Sequence, residues 1–215
     1  MLNKDKYNLP DIELLNRDEV GLNYIVWQPD KTYAVLGASN KADTSLNLPE
    51  INEDGVEVVQ RPSGGEAVLL TPKTLVISFY QVSSDKINPK EYFHFINHII
   101  VRALEAQGFT DLSVRGISDI CIGEKKILGC SIYRYKHGIF YQSVLNVAED
   151  PKLFSRYLKH PQREPDYRLC RNHHEFVTSL TKIEPTTDIE TLQKNLETTI
   201  TEQIKNSPTE DVNAV

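Results

Sequence analysis

The chain has 215 residues, 40% hydrophobic and 25% charged, with a net charge of −6. That balance is globular rather than disordered, and the excess of acid argues against a dedicated nucleic-acid binder, which needs a basic face. Three scattered cysteines, Cys121, Cys130 and Cys170, make neither a disulfide framework nor a zinc pattern. Met1 to Pro10 has no signal-peptide core, and no apolar run approaches the ~20 residues of a membrane span. The expectation is a reduced, cytoplasmic protein with no membrane partner.

Residues 1–26 read as an irregular, charged N-terminal segment in which Leu14, Leu15, Val20 and Leu22 dock locally. Thr32 to Gly37 is a short buried strand ending at glycine. Asn40 to Glu53, polar and carrying Pro49, is loop with at most a short helix. Val56 to Val59 is a strand, and Glu66 to Leu70 and Thr74 to Tyr80 form a predicted hairpin through Thr71-Pro72-Lys73.

Asn88, Pro89 and Glu91 open a helix with N-cap, first-turn and capping-box signals. Phe93, Ile96, Ile100, Ala103 and Leu104 keep helical spacing until Gly108. Strands follow at Leu112 to Val114, Asp119 to Ile122, Ile127 to Tyr135 and Gly138 to Val147. Asp150-Pro151 opens a short helix through Leu158. Ile189, Leu192, Leu196 and Ile200 stripe a C-terminal helix, and 208–215 reads as a tail. Strands in runs with helices between them predict an α+β fold: a mixed, largely antiparallel sheet packed with helices. One domain is expected over 27–207.

Two segments carry chemistry. In Arg61-Pro62-Ser63-Gly64-Gly65-Glu66-Ala67-Val68, adjacent glycines permit positive φ and close backbone approach. Successive N–H groups there can cradle an anion, and Arg61 adds a permanent charge. The same residues also suit a plain glycine turn. No P-loop is present, because the GxxxxGK-Ser/Thr pattern is absent, and no dinucleotide fingerprint, because a strand rather than a helix follows. The second segment runs from Asp119-Ile120 to Lys126-Ile127-Leu128-Gly129-Cys130-Ser131. A lysine there can stabilise charge developing on a phosphate or carbonyl, or Glu124-Lys125-Lys126 can be a solvated turn.

Together these motifs resemble the lipoate–protein ligase A family, within the biotin/lipoate ligase fold. The resemblance continues through Tyr141-Gln142-Ser143-Val144-Leu145-Asn146 and from Asp166-Tyr167-Arg168 to Val177-Thr178-Ser179-Leu180. It spans Trp27 to Leu180. It implies attachment of lipoate or octanoate to a lysine of a lipoyl carrier domain through lipoyl-AMP, with ATP and Mg²⁺ if the chain activates the acid itself. Implied carriers are a 2-oxoacid dehydrogenase lipoyl domain or the glycine-cleavage H protein. Lys126 is the implied catalytic residue. Arg61, Ser63, Gly64, Gly65, Glu66, Ala67, Asp119, Gly129, Cys130, Ser131, Tyr141 and Ser143 are implied acyl-adenylate contacts. No resident metal is implied.

The chain also departs from the family. Leu69 and Leu70 stand where a histidine is frequent, and Glu66 replaces a third glycine. Ser118 replaces Asn, Tyr141-Gln142-Ser143 replaces His-Gly-Thr, and the accessory C-terminal domain of larger ligases has no counterpart. These departures leave three readings open besides a complete ligase. One is an enzyme that needs an accessory subunit. Another is a transferase holding its acyl group as a thioester on Cys170, whose pKa Arg168 and Arg171 would lower. The third is a module that binds without chemistry. Biotin ligase is a weaker fit, since its loop reads Gly-Arg-Gly-Arg. His94 and His98 share a helix face but make only two ligands, and His173 is expected to hydrogen-bond behind the site.

Overall fold

The computed structural model describes residues 5–83 and 86–206, so the expected tail at 208–215 lies outside the described residues. Two sheets face each other. The larger has six strands, all antiparallel. In spatial order they are β2 (Gly21–Trp27), β6 (Thr74–Val82), β10 (Gly138–Asn146), β9 (Lys125–Tyr135), β8 (Asp119–Ile122) and β7 (Leu112–Arg115). The smaller is mixed, in the order β1 (Asp5–Lys6), β4 (Glu57–Gln60), β3 (Tyr33–Leu36) and β5 (Val68–Leu70). The α+β class with a mixed, largely antiparallel arrangement is as the sequence predicts.

Strand β6 shows why the layers form. All nine of its residues are buried. Leu75, Ile77 and Phe79 face the core built by two helices, while Val76 faces the smaller sheet. The period of two thus serves two cores. The helices are α3 (Pro89–Glu105) and α6 (Ile189–Asn206), after the short α1 (Ala42–Ser45) and α2 (Leu48–Glu53). Helix α3 buries Tyr92, Ile96, Ile100, Ala103 and Leu104, and α6 adds Leu192, Leu196 and Ile200 to the same core. Each large side chain so buried contributes roughly 1.5–3 kcal/mol. The Asn88 side chain caps α3 by accepting from Lys90 N, and Gly108 ends the turn beyond it at φ +90°. Asp150 caps α4 (Pro151–Tyr157) the same way, and α5 (His173–Phe176) follows.

Two expectations are corrected. Residues 21–27 are not irregular: they form the strand flanking β6, with Tyr24 stacked on Phe79 and Val26 in the main core. Both of its faces are covered, so no alternation marks it. Ahead of it Leu14 and Leu15 are buried, whereas Val20 is exposed. The hairpin at 66–80 is not formed either. Strand β5 pairs with β3, while β6 is flanked on both sides by β2 and β10 and has no free edge. The Thr71–Lys73 turn instead carries the chain between layers, with Thr74 N donating to Thr71 O at 2.9 Å. No helix among the described residues is long and apolar enough to cross a membrane.

Candidate active site

A cavity of about 610 Å³ lies between the two sheets, a volume usual for small-molecule sites. Val35, Val68, Leu70, Val76 and Val144 give it apolar walls. Lys126, Asp119, Ser131, Gln142 and His173 give it polar groups.

Lys126 is placed by a backbone irregularity. Between β8 and β9, Ile120 pairs with Leu128 but Cys121 pairs with Lys126, so Ile127 is the extra residue of a bulge. Residues 126 and 129 are an odd number apart and would face opposite ways on a regular strand. The bulge puts them on the same side. Lys126 Nζ then lies 2.8 Å from Asp119 Oδ1. A side chain on Gly129 would sit 2.6 Å from that Nζ, so glycine leaves the lane the lysine occupies. Asp119 Oδ2 accepts from the Tyr167 hydroxyl at 2.6 Å, and Ser118 Oγ lies 3.3 Å from Oδ1. The Lys126 side chain is 28% exposed and that of Asp119 6%. The solvated-turn reading therefore fails for Lys126 and holds for exposed Glu124 and Lys125.

The glycine loop is organised from inside. Arg61 is buried, and its Nη2 donates to the carbonyls of Gly64 and Glu66 at 2.8 and 2.9 Å. Burial lowers its pKa to about 10, so it stays charged at neutral pH. Arg61 thus shapes the loop by holding two of its carbonyls. Gly65 has φ +91°, and its carbonyl oxygen would be 2.1 Å from a Cβ on Gly37, so the two glycines let β3 and the loop touch. Arg61, Gly65, Glu66 and Ala67 line the cavity. Ser63 stands behind the wall, its hydroxyl 3.2 Å from Gln142 Oε1 and 3.0 Å from Ser131 Oγ.

Other expected contacts fall elsewhere. Tyr141 points to the opposite face of β10, fully buried among the helices, and its hydroxyl donates to Asn97 Oδ1 at 2.7 Å. Alternation makes its neighbour Gln142 the residue facing the cavity. Ser143 borders the cavity, but its hydroxyl donates to Ile77 O at 2.8 Å. Cys130 lines the wall with Sγ donating to Ser118 O at 2.9 Å, and burial pushes its thiol pKa up. Cys121 is buried, with its thiol also raised by burial.

Cys170 is exposed and does not line the cavity. The expected lowering of its pKa is reversed. Glu164 beside it raises the thiol, while Arg168 and Arg171 bond each other's carbonyls and lie over the Phe176 ring. His173 lines the cavity, and burial together with nearby Arg168 lowers its pKa to about 4, leaving a neutral imidazole. Tyr167 and Gln142 are the site residues the sequence did not single out. Their partners lie 48 and 79 or more positions away, and no local pattern records that.

This layered α+β domain, with a glycine loop and a lysine–carboxylate pair on one cavity, has the fold of lipoate ligase catalytic domains. The chain belongs to the lipoyl protein ligase A/B catalytic domain family, whose model matches residues 12–201. It is 27% identical over 128 residues to Lipoate–protein ligase 1 of Staphylococcus aureus, covering 60% of this chain and 38% of that protein. It is 24% identical over 156 residues to Lipoate-protein ligase A subunit 1 of Thermoplasma acidophilum, covering 68% and 59%. The chain thus spans less than two thirds of the length of these curated relatives. Among solved structures, the bipartite lipoate protein ligase of Thermoplasma acidophilum, described with its E2 lipoyl domain, superposes with a TM-score of 0.78 at 19% identity, covering 95% and 82%. A lipoate-protein ligase A bound with ATP gives 0.76 at 19% identity, covering 95% and 84%.

Proposed function

We propose that this chain attaches lipoate, or the related octanoate, to a lysine of a lipoyl carrier domain through an acyl-adenylate. The observation that carries this reading is the Lys126–Asp119 pair, 2.8 Å apart, facing the same cavity as the glycine loop. The apolar walls suit the acyl chain. The carboxyl end then meets Lys126 and the backbone of Gly65 to Ala67. Lys126, Gly65, Glu66, Ala67, Asp119, Gly129 and Ser131 are the acyl-adenylate residues of this reading, with Arg61 and Ser63 supporting them.

In transfer, the neutral amine of the carrier lysine attacks the acyl carbon. The amide C–N bond forms, the C–O bond to phosphate breaks, and AMP leaves with the bonding pair. The proton lost by nitrogen goes to solvent. Lys126 opposes the negative charge that grows on the carbonyl and phosphate oxygens, an effect strongest in a site that excludes water. Asp119 and Tyr167 hold its ammonium in place. Activation consumes ATP, whose phosphates bring Mg²⁺ with them. An accessory subunit belongs to this reading, supported by the bipartite organisation of the Thermoplasma ligase.

The test is the intact mass of an apo lipoyl domain after incubation with the protein. Parallel reactions hold lipoate with Mg-ATP, preformed lipoyl-AMP, or an octanoyl carrier protein. Modification from lipoyl-AMP is the expected result. Modification from lipoate and ATP as well would show that the chain activates unaided. Modification from the octanoyl carrier alone would replace the adenylate route, and no modification in any reaction would leave a module that only binds.

A further inference from the structure

Among the described residues, one carboxylate is wholly buried outside the cavity. Asp11, in the 3-10 turn Pro10–Asn16, is 0% exposed. Its oxygens accept from Tyr7 OH at 2.7 Å, Ser78 Oγ at 2.7 Å and Gln142 Nε2 at 2.8 Å. Burial pushes the Asp11 pKa up, but three donors converge on its two oxygens and hold the ionised form. An ionised carboxylate only accepts, so Gln142 turns its NH₂ toward Asp11 and its carbonyl oxygen away. That oxygen lies 3.2 Å from Ser63 Oγ. An amide oxygen cannot donate, so Ser63 gives its single proton there. Ser131 Oγ lies 3.0 Å from Ser63 Oγ. With the Ser63 proton committed, Ser131 is the donor of that bond. Ser131 lines the cavity, and its proton points out of it.

We propose that Asp11 is a positioning residue. By fixing Gln142 it directs the hydrogen bonds from Ser131 to Ser63 to Gln142 to Asp11, and so leaves the Ser131 oxygen as an acceptor for the N–H of the incoming lysine. This rests on the acyl-adenylate reading above. At that reacting centre the acyl chain has no N–H or O–H, and the acyl phosphate presents acceptors. The amine is the group there that needs an acceptor. Ser131 is two residues beyond Gly129 on the same face of β9, about 7 Å along the strand, within reach of an amine entering beside Lys126. The opposite polarity would aim a proton at the nucleophile's N–H and repel it.

The experiment measures single-turnover transfer from preformed lipoyl-AMP to an apo lipoyl domain, together with lipoyl-AMP binding and the melting temperature. In Asp11→Asn the new amide can face its NH₂ to Gln142, which turns round and reverses the chain. Transfer should fall about five- to thirty-fold, the size of one hydrogen bond of ~1–2 kcal/mol, with lipoyl-AMP binding within about threefold of wild type. When Asp11→Asn is combined with Gln142→Glu, the introduced carboxylate accepts from both the introduced amide and the Ser63 hydroxyl. The original direction then returns, and transfer should recover. Ser131→Ala should show the same fall as Asp11→Asn, and carries the test if Asp11→Asn does not fold.

Wild-type transfer in Ser131→Ala would overturn the proposal. So would a folded double variant that fails to recover, or an Asp11→Asn variant whose fall in transfer is matched by an equal loss of lipoyl-AMP binding. A wild-type protein that neither binds nor transfers lipoyl-AMP would instead overturn the active-site reading beneath it.

Discussion

Adding one methyl group at Gly129 should silence the site without unfolding the protein. The Cβ of Gly129→Ala would lie 2.6 Å from Lys126 Nζ and 2.7 Å from Cε, where ordinary contact begins at 3.4 Å. The shortfall is 3.4 − 2.6 = 0.8 Å at Nζ. The atoms that must yield belong to the tip of a flexible side chain, not to backbone. Gly129 has no positive φ, so alanine fits its conformation, and a strand interior gains roughly 0.5–1 kcal/mol from losing glycine. Stability should hold within about 1 kcal/mol. The ammonium, however, must leave its 2.8 Å contact with Asp119. Misplacing a catalytic group by about 1 Å costs on the order of 100-fold, or ~2.7 kcal/mol. The assay is single-turnover transfer from preformed lipoyl-AMP, beside a thermal melt. Transfer within about threefold of wild type would refute the claim that Gly129 clears the path for Lys126. A melt lowered by many degrees would refute the claim that the lysine tip absorbs the clash.

Tyr167→Phe removes the hydroxyl that donates to Asp119 at 2.6 Å. Transfer should fall about ten- to a hundredfold, in line with the ~1.5–3 kcal/mol of a hydrogen bond to a charged group, and unchanged kinetics would show that Asp119 is held without it. Cys170→Ala should transfer like wild type, and no acyl adduct on Cys170 should appear by peptide mass spectrometry; loss of transfer would restore the thioester route. Stability should also fall with acid. The His173 imidazole takes a proton near 6.5 in the unfolded chain but only near 4 when folded. The unfolded state therefore binds more protons below 6.5, so this contribution is complete above about 6.5 and lost down to about 4. Its upper bound is roughly 3.4 kcal/mol. In His173→Gln the melting temperature should vary less over that window, and an unaltered pH profile would contradict the burial argument.

What the sequence makes legible follows from how local each signal is. Helix α3 is plain because Asn88, Pro89 and the 3.6-residue stripe all lie within one segment. The glycine loop is plain because Gly65 needs a backbone that other residues resist. Strand β2 is hidden, since only Val26 and Trp27 are buried and its apolar residues run on both faces without alternation. The Thr71–Lys73 turn reads as a hairpin because a turn's residues do not say which layer the next strand joins. Within the site, Lys126 stands out but the bulge at Ile127 that aims it does not. Tyr141 is expected in the cavity when its neighbour Gln142 faces it, a one-residue error that inverts a strand's faces. Cys170 draws notice through its flanking arginines, yet both are held by backbone carbonyls and it is Glu164 that sits beside the thiol.

The central claim is that Lys126 drives acyl transfer to a carrier lysine. Its most direct test compares wild type with Lys126→Ala, following the mass of an apo lipoyl domain given stoichiometric lipoyl-AMP. Wild type should convert the carrier to the lipoylated mass, and Lys126→Ala should do so on the order of 100- to 1,000-fold more slowly. Equal rates in the two proteins, or a carrier that stays unmodified by folded wild type, would contradict the account.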